Sequence, residues 1–227
     1  MKKLILLPIL LLSLSVFAQE LKIGPVVGFN FAKYGYGPKM DEVKMPSILR
    51  TQLGIVGEYS LTEMFALKSG IILVGRGTKM KADVTENGIR STLEFKVKTL
   101  NLHIPLLVGI KLPVNDLDFA IFTGPSLGFA LSAKGDGSWS NIGTIGEGSG
   151  SNNTIPIGNN DSDFIKSTDM GWEFAVGAGL SKFNLPLNIT LSYTLGLTNL
   201  DPNPEPNSYM RNRSLNFTVA YLFKVKD

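Results

Sequence analysis

The chain has 227 residues, with 22 Lys and Arg against 19 Asp and Glu, a single histidine and no cysteine. That composition excludes a disulfide framework, a lipid-modified cysteine near the N-terminus and a basic surface for nucleic acid. Its longest uninterrupted apolar run beyond residue 18, Ile104 to Ile110, is far too short for a membrane-spanning helix, which needs roughly 18 to 20 residues.

At the start of the chain, Lys2 and Lys3 form a positive region, Leu4 to Leu14 an apolar one, and Val16-Phe17-Ala18 a small-residue cleavage site. This predicts a secretory signal peptide over 1–18 and a single mature domain over 19–227. Without Lys2 and Lys3, the 22 basic residues become 20 against 19 acidic ones, a net charge of about +1.

Eight segments of the mature chain alternate bulky apolar residues with small or polar ones, and a period of two predicts strands. The first runs from about Leu21 to Ala32, with Val27, Phe29 and Phe31 on one face and Gly28 and Asn30 on the other. A loop with Gly35, Gly37, Pro38 and Pro46 leads to the second, Leu49 to Tyr59, and only Ser60-Leu61-Thr62-Glu63 separates that from the third, Met64 to Arg76. A charged loop through Asp83, Glu86, Asn87 and Gly88 precedes the fourth. There the apolar phase slips, from Leu93, Phe95 and Val97 to Leu100, Leu102, Ile104 and Leu106, which predicts a β-bulge near Lys98 or Thr99.

The fifth strand follows a short turn at Pro113-Val114-Asn115-Asp116 and places Phe119, Ile121, Leu127 and Phe129 opposite Ala120, Gly124, Ser126 and Gly128. Lys134 to Asp169 is the longest connector, rich in Gly, Ser and Asn, and reads as a mobile loop. Trp172, Phe174 and Val176 mark the sixth strand, and a turn at Asn184-Leu185-Pro186 leads to the seventh, Leu187 to Asn199. After the proline-rich run from Asp201 to Pro206, Leu215, Phe217, Val219, Tyr221 and Phe223 carry the eighth.

An even number of strands, with short and long connectors alternating, predicts an all-β, eight-stranded antiparallel up-and-down transmembrane β-barrel with periplasmic termini. Only a closed barrel lets strands satisfy every backbone group in lipid. Tyr59, Phe65, Phe119, Tyr221 and Phe223 are expected at the periplasmic rim, and Phe29, Phe31, Phe95, Phe129, Trp172 and Phe217 toward the outer one.

Four short pieces run in order along the mature chain: Gly28-Phe29-Asn30, Leu102-His103-Ile104-Pro105-Leu106-Leu107, Gly124-Pro125-Ser126-Leu127-Gly128, and Tyr193 through Leu200. In these the chain resembles the porin-like outer-membrane β-barrel proteins of Bacteroidetes type. The resemblance implies the cell outer membrane as location, with outer-membrane lipid and lipopolysaccharide, the barrel-assembly machinery and an extracellular ligand as partners.

Eight strands enclose an interior just wide enough for side chains to fill it. By phase, Glu58, Lys68, Arg76, Glu94, Lys96, Lys98, His103, Lys111 and Glu173 face inward, and charges of both signs there predict an ion-pair network. Glu58 and Lys68, which pairing across the turn at Leu61-Thr62 places diagonally on adjacent strands, are its first candidate pair. His103 would have to serve any Ser-His-acid constellation by itself, its neighbours form no hydrolase motif, and its phase points it away from lipid. The chain is therefore expected not to be an enzyme and to carry no cofactor. Asn159, Asn160, Asp161 and Asp163 offer oxygens for calcium, but without the glycine and terminal glutamate of an EF-hand loop, so no metal site is assigned.

Two functional readings follow. Either the barrel anchors long outer loops that meet an external partner, with Trp139, Ile142, Ile145, Ile155 and Ile157 as apolar contact candidates, or it is a narrow channel or transporter for small solutes.

Overall fold

A computed structural model describes residues 20–37, 43–86, 89–114, 117–142, 146–180 and 185–225. The predicted signal peptide, Ile145, Asn87-Gly88, Asn115-Asp116 and Asn184 lie outside the described residues, as does the side chain of Ile142. The strands are β1 (Glu20–Gly37), β2 (Val43–Lys44), β3 (Ile48–Ser60), β4 (Phe65–Glu86), β5 (Ile89–Val114), β6 (Leu117–Ile142), β7 (Gly146–Thr154), β8 (Thr168–Gly179), β9 (Leu187–Gly196), β10 (Tyr209–Tyr221) and β11 (Phe223–Lys224).

Eight of these form the ring. Each pairs antiparallel with the next in the order β1, β3, β4, β5, β6, β8, β9, β10, and β10 returns to β1 through a register running from Val26 opposite Ala220 to Gly37 opposite Tyr209. Closure leaves the ring without an unpaired edge. The short β2 adds to β4, β7 adds to β6, and β11 continues the line of β10 against β1.

At one end the connections are tight. Between β3 and β4 the Thr62 hydroxyl accepts the backbone N–H groups of Met64 and Phe65 at 3.2 and 2.9 Å, the local bond by which Thr turns a chain. At the other end the strands run on well past the expected boundaries. Strand β4 continues through Asp83 to Glu86, and the expected mobile loop from Lys134 is instead largely strand, with β6 extending to Ile142 and β7 folded back on it. The correction has a simple cause: once β4 and β5 project beyond the ring, β6 can go on satisfying its backbone groups along β5 as far as Arg90 opposite Ile142.

The wall is apolar outside and polar inside. Val27, Leu53, Ile71, Val108, Ile121, Val176, Leu191 and Phe217, one from each ring strand, are 42 to 61% exposed. A continuous apolar girdle of that kind around a closed ring is what a hydrocarbon solvent demands and water forbids. Inward, the buried residues are Asn30, Gln52, Arg76, Thr99, His103, Glu173, Thr190, Ser192, Thr194 and Asn216, among others.

The phase slip resolves differently from the expectation. The register between β4 and β5 runs unbroken from Phe65 opposite Ile110 to Glu86 opposite Ile89, so β5 carries no bulge near Lys98. The shift lies in β6, where Leu100 faces Ser132 but Asn101 faces Ala130, leaving Leu131 as the extra residue. In β5 it is the apolar residues that change sides. Leu100, Leu106 and Val108 face outward in the girdle, whereas Val97 and Phe95 face inward and join a buried cluster above it. Beyond the membrane the outside is water, so the apolar face turns in. For the same reason Phe95 is not a rim aromatic; its ring meets Phe164 edge-on at 6.2 Å. Glu94, Lys96 and Lys98, expected in the lumen, share the outward phase of Leu100.

Gly77 in β4 has φ of +142°, a conformation that L side chains rarely adopt, and an added Cβ would fall against the Val97 carbonyl oxygen of β5. Gly77→Ala is expected to destabilise the barrel by about 1–3 kcal/mol. A lower temperature for the heat-induced gel shift of the folded barrel would register it, and an unchanged temperature would show that the backbone relaxes there at no cost.

Candidate functional site

The lumen is filled in layers, each set by inward positions of strands far apart in sequence. Nearest the tight-turn end, the Lys111 ammonium lies 2.9 Å from Glu58 Oε1 and donates to Ser60 Oγ at 2.6 Å. This corrects the expected Glu58–Lys68 pair. Lys68 does sit directly opposite Glu58 in the register, but its ammonium reaches across the lumen to Thr190 Oγ1 at 3.1 Å and lies 5.3 Å from the centre of the Phe122 ring.

Above it runs a relay of four side chains. Glu173 Oε2 lies 3.0 Å from His103 Nε2, His103 Nδ1 lies 2.9 Å from an Arg76 terminal nitrogen, and the other terminal nitrogen of Arg76 donates to Asp169 Oδ2 at 2.9 Å. Because a guanidinium can only donate, His103 Nδ1 must accept. The imidazole is therefore neutral, with its proton on Nε2 donated to Glu173. Arg76, His103, Asp169 and Glu173 are all buried, and with Lys68, Glu58 and Lys111 they bring three cations and three carboxylates together. Balanced pairing is the condition under which such charges persist away from water.

The space left among these side chains is a cavity of about 40 Å³ bounded by Lys68, Arg76, His103 and Glu173 together with polar residues of β9 and β10. It is large enough for roughly two or three waters. Asn216 closes the wall side by donating to Ser192 Oγ and Thr194 Oγ1 at 3.3 and 3.2 Å.

Over the relay sits an apolar cap. Tyr34, Val97, Ala133 and Met210 from the ring strands, Ile155 and Ile165 from the segment between β7 and β8, and Leu200 from the segment between β9 and β10 form one buried cluster. The two segments are stitched to each other and to the wall: Ile157 bridges Ile165, the Lys166 N–H donates to the Leu200 carbonyl at 2.8 Å, and the Leu200 N–H donates to that of Met210 at 2.7 Å. Below them the Tyr34 hydroxyl meets Thr99 Oγ1 at 3.2 Å.

The cap redefines the outer contact candidates. Ile155 is only 8% exposed and Ile157 packs against the same cluster, so both face into the barrel rather than toward a partner. Their apolar character reflects the covering of the barrel mouth. Trp139 remains 47% exposed near the tip of the β6–β7 hairpin, with its indole lying over Gly146 and Gly148 of β7. Among the suggested calcium ligands, Asp163 Oδ2 instead accepts the Asn160 N–H at 2.9 Å and closes a turn. Asp169 is the member of the relay that sequence phase missed. It lay at the end of the supposed mobile loop, but its odd numbering, shared with Glu173, was the available signal.

Several solved structures resemble this one. OprG from Pseudomonas aeruginosa is 12% identical with a TM-score of 0.45, covering 92% of this chain and 97% of its own. Ail, the attachment invasion locus protein of Yersinia pestis, solved with the heparin analogue sucrose octasulfate, is 11% identical with a TM-score of 0.35, covering 91% and 100%. Neisserial surface protein A is 11% identical with a TM-score of 0.37, covering 88% and 97%. No curated protein matches the sequence. The family model described as outer membrane protein beta-barrel domain matches residues 17–201, from the start of β1 through β9. With its closed ring and apolar girdle, the chain belongs to this outer-membrane β-barrel family, and its location is the cell outer membrane.

Proposed function

We propose that the protein is a closed barrel that anchors an extracellular β-structure, and that it neither conducts solutes nor catalyses a reaction. The observation that carries this reading is the stack in the lumen: among the described residues, the Glu58–Lys111 pair, the Lys68 layer, the Asp169–Arg76–His103–Glu173 relay and the apolar cap enclose cavities of only about 40 and 10 Å³. A diffusing solute would have to displace paired buried charges as well as a packed cluster. His103 has both ring nitrogens engaged, by Arg76 and Glu173, which leaves no nitrogen to exchange a proton with a substrate.

What the anchor presents is the extension of β4, β5 and β6 with the β6–β7 hairpin. Trp139 on that hairpin is held by its glycine floor and exposed, the arrangement in which an aromatic contributes most to an interface. A partner outside the cell is the function such a surface serves. Single-channel recording of the purified protein in planar bilayers should show no steady current at the voltages where narrow pores conduct. Regular open-channel steps would replace this reading with that of a narrow channel or transporter.

A further inference from the structure

Three pairs of lysines stand directly opposite one another on neighbouring strands of the extracellular extension: Lys44 with Lys81, Lys79 with Lys96, and Lys98 with Lys134. Like charges in opposed positions of a sheet are destabilising, and the carboxylates Glu94 and Asp136, which stand opposite Lys81 and Lys96 on the other neighbouring strand, offset only part of that repulsion for six lysines on β2, β4, β5 and β6. All six follow the outward phase, since the residues alternating with them in β4, β5 and β6, such as Thr78, Val97 and Ala133, are buried. Two carboxylates interleave with them. Glu94 is ion-paired to both Lys79 and Lys81, and Asp136 to Lys98. Asp83 stands two residues beyond Lys81. Lys44, Lys96 and Lys134 have no ion pair within 4 Å among the described residues, so the face carries excess positive charge.

Its height matters as much as its charge. Lys98 is two residues beyond Leu100 on the same face of β5, and Lys134 is three beyond the exposed Leu131 of β6. At about 3.3 Å per residue, the lowest lysines clear the apolar girdle by only about 7 Å. Their ammonium groups therefore lie at the level of lipid headgroups in the outer leaflet, with their alkyl stems free to lie along the girdle.

We propose that this face is a binding site for the phosphate groups of a phosphorylated glycolipid of the outer leaflet, with Lys79 and Lys96 and, beneath them, Lys98 and Lys134 each bridged by one phosphate. A phosphate between two ammonium groups turns each cross-strand repulsion into two attractions. A glycolipid is favoured over a soluble anion because the lysines adjoin the girdle that its acyl chains would cover.

The experiment uses the full chain refolded into phosphatidylcholine vesicles with bis-phosphorylated lipid A, with lipid A stripped of both phosphates, or with neither. Lipid retained after detergent extraction is counted by native mass spectrometry. Lipid A should be retained and its dephosphorylated form lost. Lys96→Gln with Lys134→Gln should weaken retention about thirtyfold, as expected for two lysines at a charged membrane surface. In vesicles lacking lipid A the same double variant should resist heating at least as well as the parent, because it removes repulsion. Equal retention of both glycolipids, undiminished retention by the variant, or complete displacement by millimolar inorganic phosphate would each overturn the assignment. So would a variant that is less heat-stable without lipid A, since the lysines would then be structural.

Discussion

Arg76→Met should lower the stability of the folded barrel by about 3–5 kcal/mol, the usual result of removing one partner from a buried ion pair. Arg76 connects β4 to β8 through Asp169 and to β5 through His103, across sequence separations of 93 and 27 residues. Its loss leaves the Asp169 carboxylate buried without its cation and His103 Nδ1 without a donor. The readout is the temperature at which the folded species converts to the unfolded one on a gel without prior boiling. A second variant separates charge from packing. Arg76→Met combined with Asp169→Leu removes both charges and retains apolar bulk, and replacing a buried pair in this way is often neutral or stabilising. The double variant should therefore recover most of the lost stability. If the single variant melted with the parent, Arg76 would carry no net load and the layered account of the lumen would fail.

Leu200→Asp should detach the cap while leaving the barrel intact. Leu200 is 4% exposed in a cluster made only of apolar side chains and tyrosine. Arg76 and Lys166 line the small cavity beside it, but Arg76 is already committed to Asp169 and His103, and a carboxylate at 200 would have to give up its water inside the apolar cluster and beside the Asp169 carboxylate. The ring does not depend on the cap, because its strands pair through their own backbone groups from β1 to β10 and back to β1. The segment carrying Ile155, Ile165 and Lys166 should swing out, since Lys166 is tied to the Leu200 carbonyl. Trypsin should then cut after Lys166 in intact cells, where the parent resists, and the heat-induced gel shift should persist. Bilayers should still show no current, because the relay and the Lys111–Glu58 layer remain. Loss of the gel shift would mean that the cap is part of the folding core.

Outward alternation in the strands was legible from residues such as Leu187 to Leu197 because side chains in a strand alternate faces whatever they pair with. The same rule placed Glu58, Lys68, Arg76, His103, Lys111 and Glu173 inside, where all but Lys111 are buried. It misled where the solvent changes along the strand. Phe95 and Val97 alternate as lipid-facing residues do, but apolar residues mark the lipid side only within the bilayer; above it they mark the interior. The inward lysine readings at 96 and 98 came from the same inversion.

Sequence by itself determined the period, the even number of strands, the unequal connectors and, through them, an outer-membrane barrel with charge inside. Tertiary structure alone decided who pairs with whom. Glu58 joins Lys111 rather than Lys68 because a narrow closed ring brings an inward side chain as near to the second strand over as to the first. Asp169, Ile155 and Leu200 found their places only when segments remote in sequence met over the barrel mouth. Periodicity is a property of one strand, whereas register, closure and the cap belong to the ring as a whole.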